Sequence, residues 1–170
     1  HVAVSAIEHH AVLDTLVGVE ALGGRTTVLP VDAAGRPDPE ALQEALDSGP
    51  AVVSLMAVNN ETGALPPVGD VAAACRDRHV VFHTDAVQAP GHIPLPPLAC
   101  ADLVSLSGHK VGGPVGTGVL RVRRGVAVAP LLHGGGQEGG LRPGTEDVAG
   151  AAGLAEALRL ASIEQDENHR

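Results

Sequence analysis

The chain has 170 residues, of which 44% are hydrophobic and 1% aromatic, and its formal net charge is -9. This length fits one domain with a sizeable core, and the acidic balance provides no basic face for nucleic acid and no polybasic membrane anchor. No apolar run approaches the length that spans a membrane. Because Phe82 is the one aromatic residue, the core is expected to consist of Val, Leu, Ile and Ala.

Short β-branched runs alternate with helical patterns from one end of the chain to the other. The predicted strands are 2–5, 26–31, 51–58, 80–84, 103–106 and 118–122. The predicted helices are 11–22, 39–46 after the cap Asp38, 68–78 and a final helix over 146–165. This alternation predicts an α/β fold, a mostly parallel sheet with helices on both faces.

Polar side chains follow four of the predicted strands, where ligand sites gather in sheets of this kind. In chain order these strand ends carry Glu8, His9 and His10, then the segment Asn59-Asn60-Glu61-Thr62-Gly63, then Asp85 and Gln88, then Ser107, His109 and Lys110. The sequence therefore predicts one crevice that contains a lysine, an aspartate, a histidine and an asparagine.

Lys110 is the single lysine of the chain, beside ten arginines. A guanidinium stays protonated, whereas a desolvated lysine amine can lose its proton and condense with an aldehyde. Lys110 is therefore a candidate Schiff-base lysine. The alternative is a composition that favours arginine and leaves one lysine on a solvated loop.

Pyridoxal phosphate accounts for this combination of residues. It needs a lysine for the Schiff base and a carboxylate that keeps the ring nitrogen protonated, so that the ring can accept electrons. Asp85 can hold that nitrogen, Gln88 can donate to the phenolic oxygen, and His9 can stack on the ring and move protons. Ser107 and His109 are placed to hold the phosphate.

Several longer motifs resemble those of cysteine desulfurases of the class V aminotransferase superfamily, in order and spacing along essentially the whole chain. The motifs are Asn59-Asn60-Glu61-Thr62-Gly63, His83-Thr84-Asp85-Ala86-Val87-Gln88, Ser105-Leu106-Ser107-Gly108-His109-Lys110, His133-Gly134-Gly135-Gly136-Gln137-Glu138 and Arg142-Pro143-Gly144-Thr145. The glycine-rich motif is similar to that of the housekeeping branch, which serves iron–sulfur assembly. The fold implied is the large domain of aspartate-aminotransferase-like, pyridoxal-phosphate-dependent transferases.

The resemblance implies a role for each matching residue. Lys110 and His9 would be catalytic, and no metal is implied. The cofactor-binding residues would be His9, Asn60, Asp85, Gln88, Ser107, His109, Lys110 and Thr145, the last of which would reach the phosphate of the neighbouring subunit's cofactor.

The activity implied by the resemblance converts L-cysteine to L-alanine. Sulfur would pass as an enzyme persulfide to an acceptor or scaffold protein, for assembly of iron–sulfur clusters or thio-cofactors. The enzyme would be a homodimer. Cys75 and Cys100 follow no metal or disulfide spacing, which suits a reducing compartment such as the cytoplasm, and both are expected to be structural.

The chain departs from the family pattern in two ways. Gly139-Gly140 stands where the family's motif usually carries an arginine after Gln-Glu. The family's phosphate-cradling Gly-Ala-Thr segment is expected before His1, and its nucleophilic cysteine loop and substrate-carboxylate arginine beyond Arg170. We therefore expect 1–170 to be a cofactor-binding large domain that is incomplete at both ends and inactive by itself.

Other functions remain open at this stage. His83, Asp85, His109 and His133 could bind a divalent metal for hydrolysis, since imidazole and carboxylate are suitable ligands. The chain could also belong to another pyridoxal-phosphate enzyme of the class V family, or be a binding or dimerisation remnant without turnover.

Local structural roles are alternatives for single residues. His9 and His10 could simply begin a helix, and Asp85 could cap the turn after its strand. Asn60 could serve only the turn that contains it, and Thr145 could be only the N-cap of the last helix.

Overall fold

A six-stranded sheet organises the chain in the computed structural model, which describes residues 1–94 and 96–168. The strands are β1 (Val2–Ser5), β2 (Thr26–Leu29), β3 (Val52–Ser54), β4 (Val81–Asp85), β5 (Leu103–Ser107) and β6 (Gly118–Val122). Their order is β2-β1-β3-β4-β5-β6, with β6 antiparallel to β5 and all other pairs parallel. The predicted α/β fold with a mostly parallel sheet is confirmed.

Two strands are shorter than predicted. β2 ends at Leu29 because Pro30 has no N–H for the ladder, and Val31 forms only an isolated bridge to Pro37. β3 ends at Ser54, although the next residues stay beside β4: the N–H groups of Leu55 and Ala57 donate to carbonyl oxygens of β4 at 3.1 and 2.8 Å. The segment after β3 is thus held against β4 without forming a regular strand.

The helices of the described residues are α1 (His10–Leu13), α2 (Thr15–Ala21), α3 (Pro39–Asp47), α4 (Val68–Asp77) and α5 (Val148–Asn168). Short 3-10 helices occupy Pro96–Cys100, Gly108–Val111 and Gln137–Gly140. α3 begins as predicted, since the Asp38 carboxylate accepts from the Ala41 N–H at 2.9 Å. The single helix predicted over 11–22 is divided at Asp14. No helix in the described part of the chain is long and apolar enough to cross a membrane.

Phe82, on β4, lies in the apolar core and is 1% exposed. Aliphatic residues from the sheet and the helices surround it in one cluster, among them Val53, Leu55 and Val104. Burial of a side chain of this size contributes roughly 1.5–3 kcal/mol. α4 packs against β4 and thereby helps to fix the sheet whose strand ends carry the polar residues described next.

Candidate active site

The carboxyl ends of β1, β3, β4 and β5 open into one cavity of about 350 Å³, a size typical of small-molecule sites. These strands are parallel neighbours, so the segments that follow them meet at one edge of the sheet. The polar lining consists of His9, Asn60, Asp85, Gln88, Ser107, His109 and Lys110, and the apolar lining of Ala11, Met56, Val58 and Val87. Seven of the eight predicted site residues therefore line one cavity.

Asp85 is the last residue of β4 and is 8% exposed. One of its carboxylate oxygens accepts a hydrogen bond from the Val87 N–H at 2.9 Å, so the residue does serve the turn after its strand. It also lines the cavity, together with the half-buried Gln88 one turn further on. The turn role and the ligand role are thus compatible, and a buried carboxylate here is suited to a cationic ring nitrogen.

Lys110 lies in the 3-10 helix that follows β5. Gly108 opens this helix where a side chain would not fit, because a Cβ atom there would lie 2.9 Å from the carbonyl oxygen of Pro114. Lys110 itself is exposed at the cavity, so the described residues do not supply the desolvation expected around a Schiff-base lysine.

Ser107 and His109 form a pair beside Lys110. The Ser107 Oγ and the His109 Nδ1 lie 2.8 Å apart, and both residues line the cavity. A hydroxyl and an imidazole at the start of a 3-10 helix are good donors for an anionic group. Their arrangement is compatible with phosphate binding, as the sequence predicted.

His9 and His10 have different surroundings. His9 lines the cavity and caps α1, since its Nδ1 accepts from the Ala11 N–H at 3.1 Å. Accepting at Nδ1 requires a neutral ring that carries its proton on Nε2. His10 instead lies near Asp14 on the surface, with 3.5 Å between Nδ1 and the carboxylate. The helix-start role and a cavity role therefore both apply to His9.

The two asparagines after β3 differ in burial and in hydrogen bonding. Asn59 is buried, donates to the Ile7 carbonyl at 2.9 Å and accepts from the N–H groups of Glu61 and Thr62. Asn60 is exposed and lines the cavity. Turn formation is thus served by Asn59, which leaves the Asn60 side chain for a ligand.

Thr145 is the predicted site residue that does not line the cavity. It is exposed, near the end of a largely exposed glycine-rich segment over 133–144. Its alternative role as N-cap of the last helix is wrong, because α5 begins at Val148 and the Asp147 carboxylate accepts from the Gly150 N–H at 2.9 Å. Gly139 has a left-handed φ of 65°, a backbone conformation that favours glycine over arginine.

Glu8 is a buried acidic residue that the sequence places at a strand end but to which it assigns no role. It is 5% exposed, immediately before His9, and burial raises its pKa from the ordinary 4.5 to about 7. Its carboxylate accepts from the Met56 N–H at 2.6 Å, which fastens the β1–α1 turn to the segment after β3. The sequence signal that could have revealed Glu8 was its place between a buried strand and a strand-end histidine.

The geometry does not favour the metal-hydrolase alternative. Both ring nitrogens of His83 are occupied, by the hydroxyls of Ser54 at 2.8 Å and Ser105 at 3.0 Å. Within residues 1–94 and 96–168, no three His, Cys, Asp or Glu side chains are grouped as metal ligands would be.

Neither cysteine is among the residues that line the cavity. Cys75 is fully buried in α4, where burial raises the pKa of its thiol to about 12. A thiol with such a pKa is not a nucleophile near neutral pH. The prediction that Cys75 is structural thus agrees with its position.

Comparison with known proteins agrees with this geometry. The model of the family "Aminotransferase class-V" matches residues 1–170. The chain is 44% identical over 171 residues to cysteine desulfurase IscS of Methanosarcina thermophila, covering 100% of this chain and 42% of the relative. It is 46% identical over 169 residues to the mitochondrial cysteine desulfurase of Drosophila melanogaster, covering 98% of this chain and 37% of the relative.

Two solved structures superimpose closely on the chain. A NifS-like protein gives a TM-score of 0.91 at 40% identity, covering 98% of this chain and 47% of that structure. DndA from Streptomyces lividans gives 0.90 at 40% identity, covering 98% and 49%. The chain spans less than half the length of these relatives. Sequence, fold and cavity together show that the chain belongs to the class-V aminotransferase family.

Proposed function

We propose that this chain is the pyridoxal-phosphate-binding part of a cysteine desulfurase, which converts L-cysteine to L-alanine and passes sulfur on as an enzyme persulfide. The observation that carries the proposal is that Lys110 and the buried carboxylate of Asp85 line one cavity. His9 and Gln88 line the same cavity. The substrate is suggested by the relatives that are named cysteine desulfurases.

The lining residues fit the chemical groups of the cofactor. Asp85 would pair with the ring nitrogen and keep it protonated, and Gln88 would donate to the phenolic oxygen. Ser107 and His109, already 2.8 Å apart, would turn their donors to the phosphate. When bound, pyridoxal phosphate supplies an electron sink for the substrate's α-carbon.

Three further residues would act on cofactor and substrate. Lys110 would hold the cofactor covalently through its amine and, as a free amine, would take up or release protons. His9 would stack on the ring and move protons through Nε2, because its Nδ1 is occupied by the Ala11 N–H. Asn60 would contact both cofactor and substrate from the turn after β3.

A hybrid protein tests the proposed reaction. In it, this chain replaces the matching 171 residues of the Methanosarcina thermophila relative. With pyridoxal phosphate and a reducing thiol, we expect the hybrid to release alanine and sulfide from L-cysteine in equal amounts. A hybrid that folds and retains the cofactor but produces neither would contradict the proposal.

The 170-residue chain by itself is expected to bind the cofactor weakly and to release no sulfide catalytically. The thiol that receives sulfur in such a reaction must reach the bound substrate, and neither Cys75 nor Cys100 lines the cavity. The proposal includes transfer to an acceptor or scaffold protein for iron–sulfur or thio-cofactor assembly. It also includes a cytoplasmic location, supported by two cysteines without disulfide spacing.

A homodimer is part of the proposal, with Thr145 reaching the neighbouring subunit's phosphate. Large apolar side chains are exposed around β6 and the glycine-rich segment, including Leu131 at 93%, Val115 at 89% and Leu120 at 51%. Such a surface is typical of a protein interface.

Light scattering is expected to give a dimer mass at concentrations well above micromolar. Leu131→Glu should shift the mass towards the monomer, because it would bury a charge in the interface. Leu22→Glu is the matched control, since Leu22 is 91% exposed and lies at the β2 edge of the sheet, opposite β6. A strictly monomeric chain, or equal effects of the two substitutions, would contradict the shared site.

A further inference from the structure

A row of hydrogen-bonded side chains begins at the buried Glu8, next to the cavity, and ends at the half-buried His83 and Ser105. The Oε1 of Glu8 accepts from the Ser5 hydroxyl at 2.8 Å and from the Met56 N–H at 2.6 Å. Its Oε2 lies 3.2 Å from the hydroxyl of Ser54, on β3. Ser5, Glu8 and Ser54 are each at most 5% exposed, so this carboxyl forms its hydrogen bonds with protein groups and not with bulk water.

His83 continues the row across the sheet. Ser54 and His83 are register partners on β3 and β4, and the Ser54 Oγ lies 2.8 Å from the His83 Nδ1. The His83 Nε2 lies 3.0 Å from the hydroxyl of Ser105, on β5. Glu8, Ser54, His83 and Ser105 therefore form one continuous hydrogen-bonded chain from the β1–α1 turn to β5.

Two arrangements of protons satisfy every hydrogen bond of this row, because a hydroxyl can both donate and accept. With Glu8 ionised, Ser54 donates to the carboxylate and accepts from Nδ1–H of His83, while Nε2 accepts from Ser105. With Glu8 protonated, its O–H donates to Ser54, Ser54 donates to Nδ1, and Nε2–H of His83 donates to Ser105. The two arrangements differ by one proton, which is exchanged with solvent.

The charges around the row place this exchange near neutral pH. Burial raises the pKa of Glu8 to about 7, with a smaller contribution in the same direction from the charge of Asp85. Burial lowers the pKa of His83, which favours its neutral ring. Asp85 is the charged group in the described chain whose field acts on both Glu8 and His83; the other partners are hydroxyls and a backbone N–H.

We infer that Glu8 is a positioning residue of the cavity that acts through Ser54: its protonation decides which ring nitrogen of His83 carries the proton. The change reverses the hydrogen bond offered to Ser105, on the strand that leads to Lys110, and alters the charge near Asp85 by one. The role in cofactor binding rests on the proposed function, whereas the proton switch itself does not.

The test is long-range ¹H–¹⁵N NMR of the histidine rings in the cofactor-free, full 170-residue chain, because neutral Nδ1–H and Nε2–H rings have distinct ¹⁵N shifts. As Glu8 titrates, we expect the proton of the neutral His83 ring to move from Nε2 to Nδ1 with rising pH. The midpoint should follow the pKa of Glu8, about 7.

Two variants test separately whether Glu8 is the titrating group and whether Ser54 transmits its titration to His83. In Glu8→Gln the amide donates permanently to Ser54, which should hold the neutral His83 ring in the Nε2–H form through the pH range in which Glu8 titrates in the wild type. In Ser54→Ala, Glu8 keeps its titration but His83 should no longer follow it. Glu61→Gln is the matched control: Glu61 is an exposed carboxylate in the turn after β3, and its loss should leave the switch unchanged.

Stability against pH gives a second readout. Because the folded state holds the Glu8 proton more tightly than the unfolded state, Glu8 favours the folded state most below its ordinary pKa of 4.5, and this advantage is lost as the pH rises through about 7. That slope should persist in Ser54→Ala and Glu61→Gln and disappear in Glu8→Gln. A fixed His83 tautomer in the wild-type chain, or a switch that survives Glu8→Gln, would overturn the inference.

Pyridoxal phosphate tests the link to the site. A cationic ring beside Asp85 would offset the field that disfavours ionised Glu8, so saturating cofactor should move the His83 midpoint to lower pH. An unchanged midpoint with bound cofactor would overturn the positioning role. Failure to bind cofactor at all would instead count against the proposed function and leave the switch in the free chain standing.

Discussion

Replacement of Lys110 by alanine is expected to abolish covalent retention of pyridoxal phosphate and the visible absorption that accompanies it. Lys110 is the single lysine, so the α-amine of His1 is the other amine of the chain that could condense with the aldehyde. The measurement is borohydride reduction in the presence of saturating cofactor, followed by peptide mass mapping. Labelling of the wild-type chain at the His1 amine, and not at Lys110, would contradict the assignment.

Lys110→Arg separates charge from nucleophilicity. It keeps a positive group at the cavity, but a guanidinium is protonated at any reachable pH and cannot condense, so it should fail as completely as alanine. Because Lys110 is exposed, both substitutions should change the free energy of unfolding by no more than about 0.5 kcal/mol. If both variants are as stable as the wild type but do not retain the cofactor, the loss of retention is due to the missing lysine amine. The exposure of Lys110 also explains why the chain alone is expected to bind the cofactor only weakly.

Most of the fold followed from local patterns. Runs such as Val80-Val81-Phe82 and Val52-Val53 are β-branched or aromatic and lie between helical periods, which is sufficient to predict alternating strands and helices. Element ends were less predictable. Pro30 ended β2 two residues before the predicted end, and the helix predicted over 11–22 is divided at Asp14.

The cavity could be predicted because the geometry of a parallel sheet brings the residues that follow its strands to one edge. Residues directly after β1, β3, β4 and β5 must meet there once the strands are parallel neighbours. This reasoning does not apply to Thr145, which follows the exposed glycine-rich segment and is far along the chain from these strands. Its proposed site role would depend on a neighbouring subunit, which strand periodicity does not predict.

The hydrogen bonds of Glu8 and His83 join different elements of the fold, and sequence patterns alone do not predict them. The burial of Glu8 results from tertiary packing of its turn against Ser54 and the Met56 N–H, 46 and 48 residues away. From the sequence, His83 is only a possible metal ligand, because its hydroxyl partners follow from the register of β3, β4 and β5. Spacing within one strand carries no information about either partner.

Loss of the Asp85 carboxylate is expected to lower turnover strongly. Asp85→Ala in the hybrid protein should lower the rate of alanine formation at least ~100-fold, which corresponds to about 2.7 kcal/mol of transition-state stabilisation. The reason is that the ring nitrogen of the cofactor would lose the group that keeps it protonated, and the ring would lose its capacity to accept electrons. Cofactor retention should weaken at the same time.

Asp85→Asn distinguishes the charge from the turn. An asparagine at this position can still accept the hydrogen bond from the Val87 N–H, which alanine cannot, so Asn should preserve about 1 kcal/mol of folding stability that Ala loses. Because the amide carries no charge, the rate should fall in Asn as it does in Ala. Asp32→Asn is the matched control: Asp32 accepts from the Ala34 and Arg36 N–H groups in the turn after β2, outside the cavity, and its loss should leave the rate unchanged. Near-normal turnover in Asp85→Asn, with the cofactor retained, would show that the buried carboxylate serves only its turn.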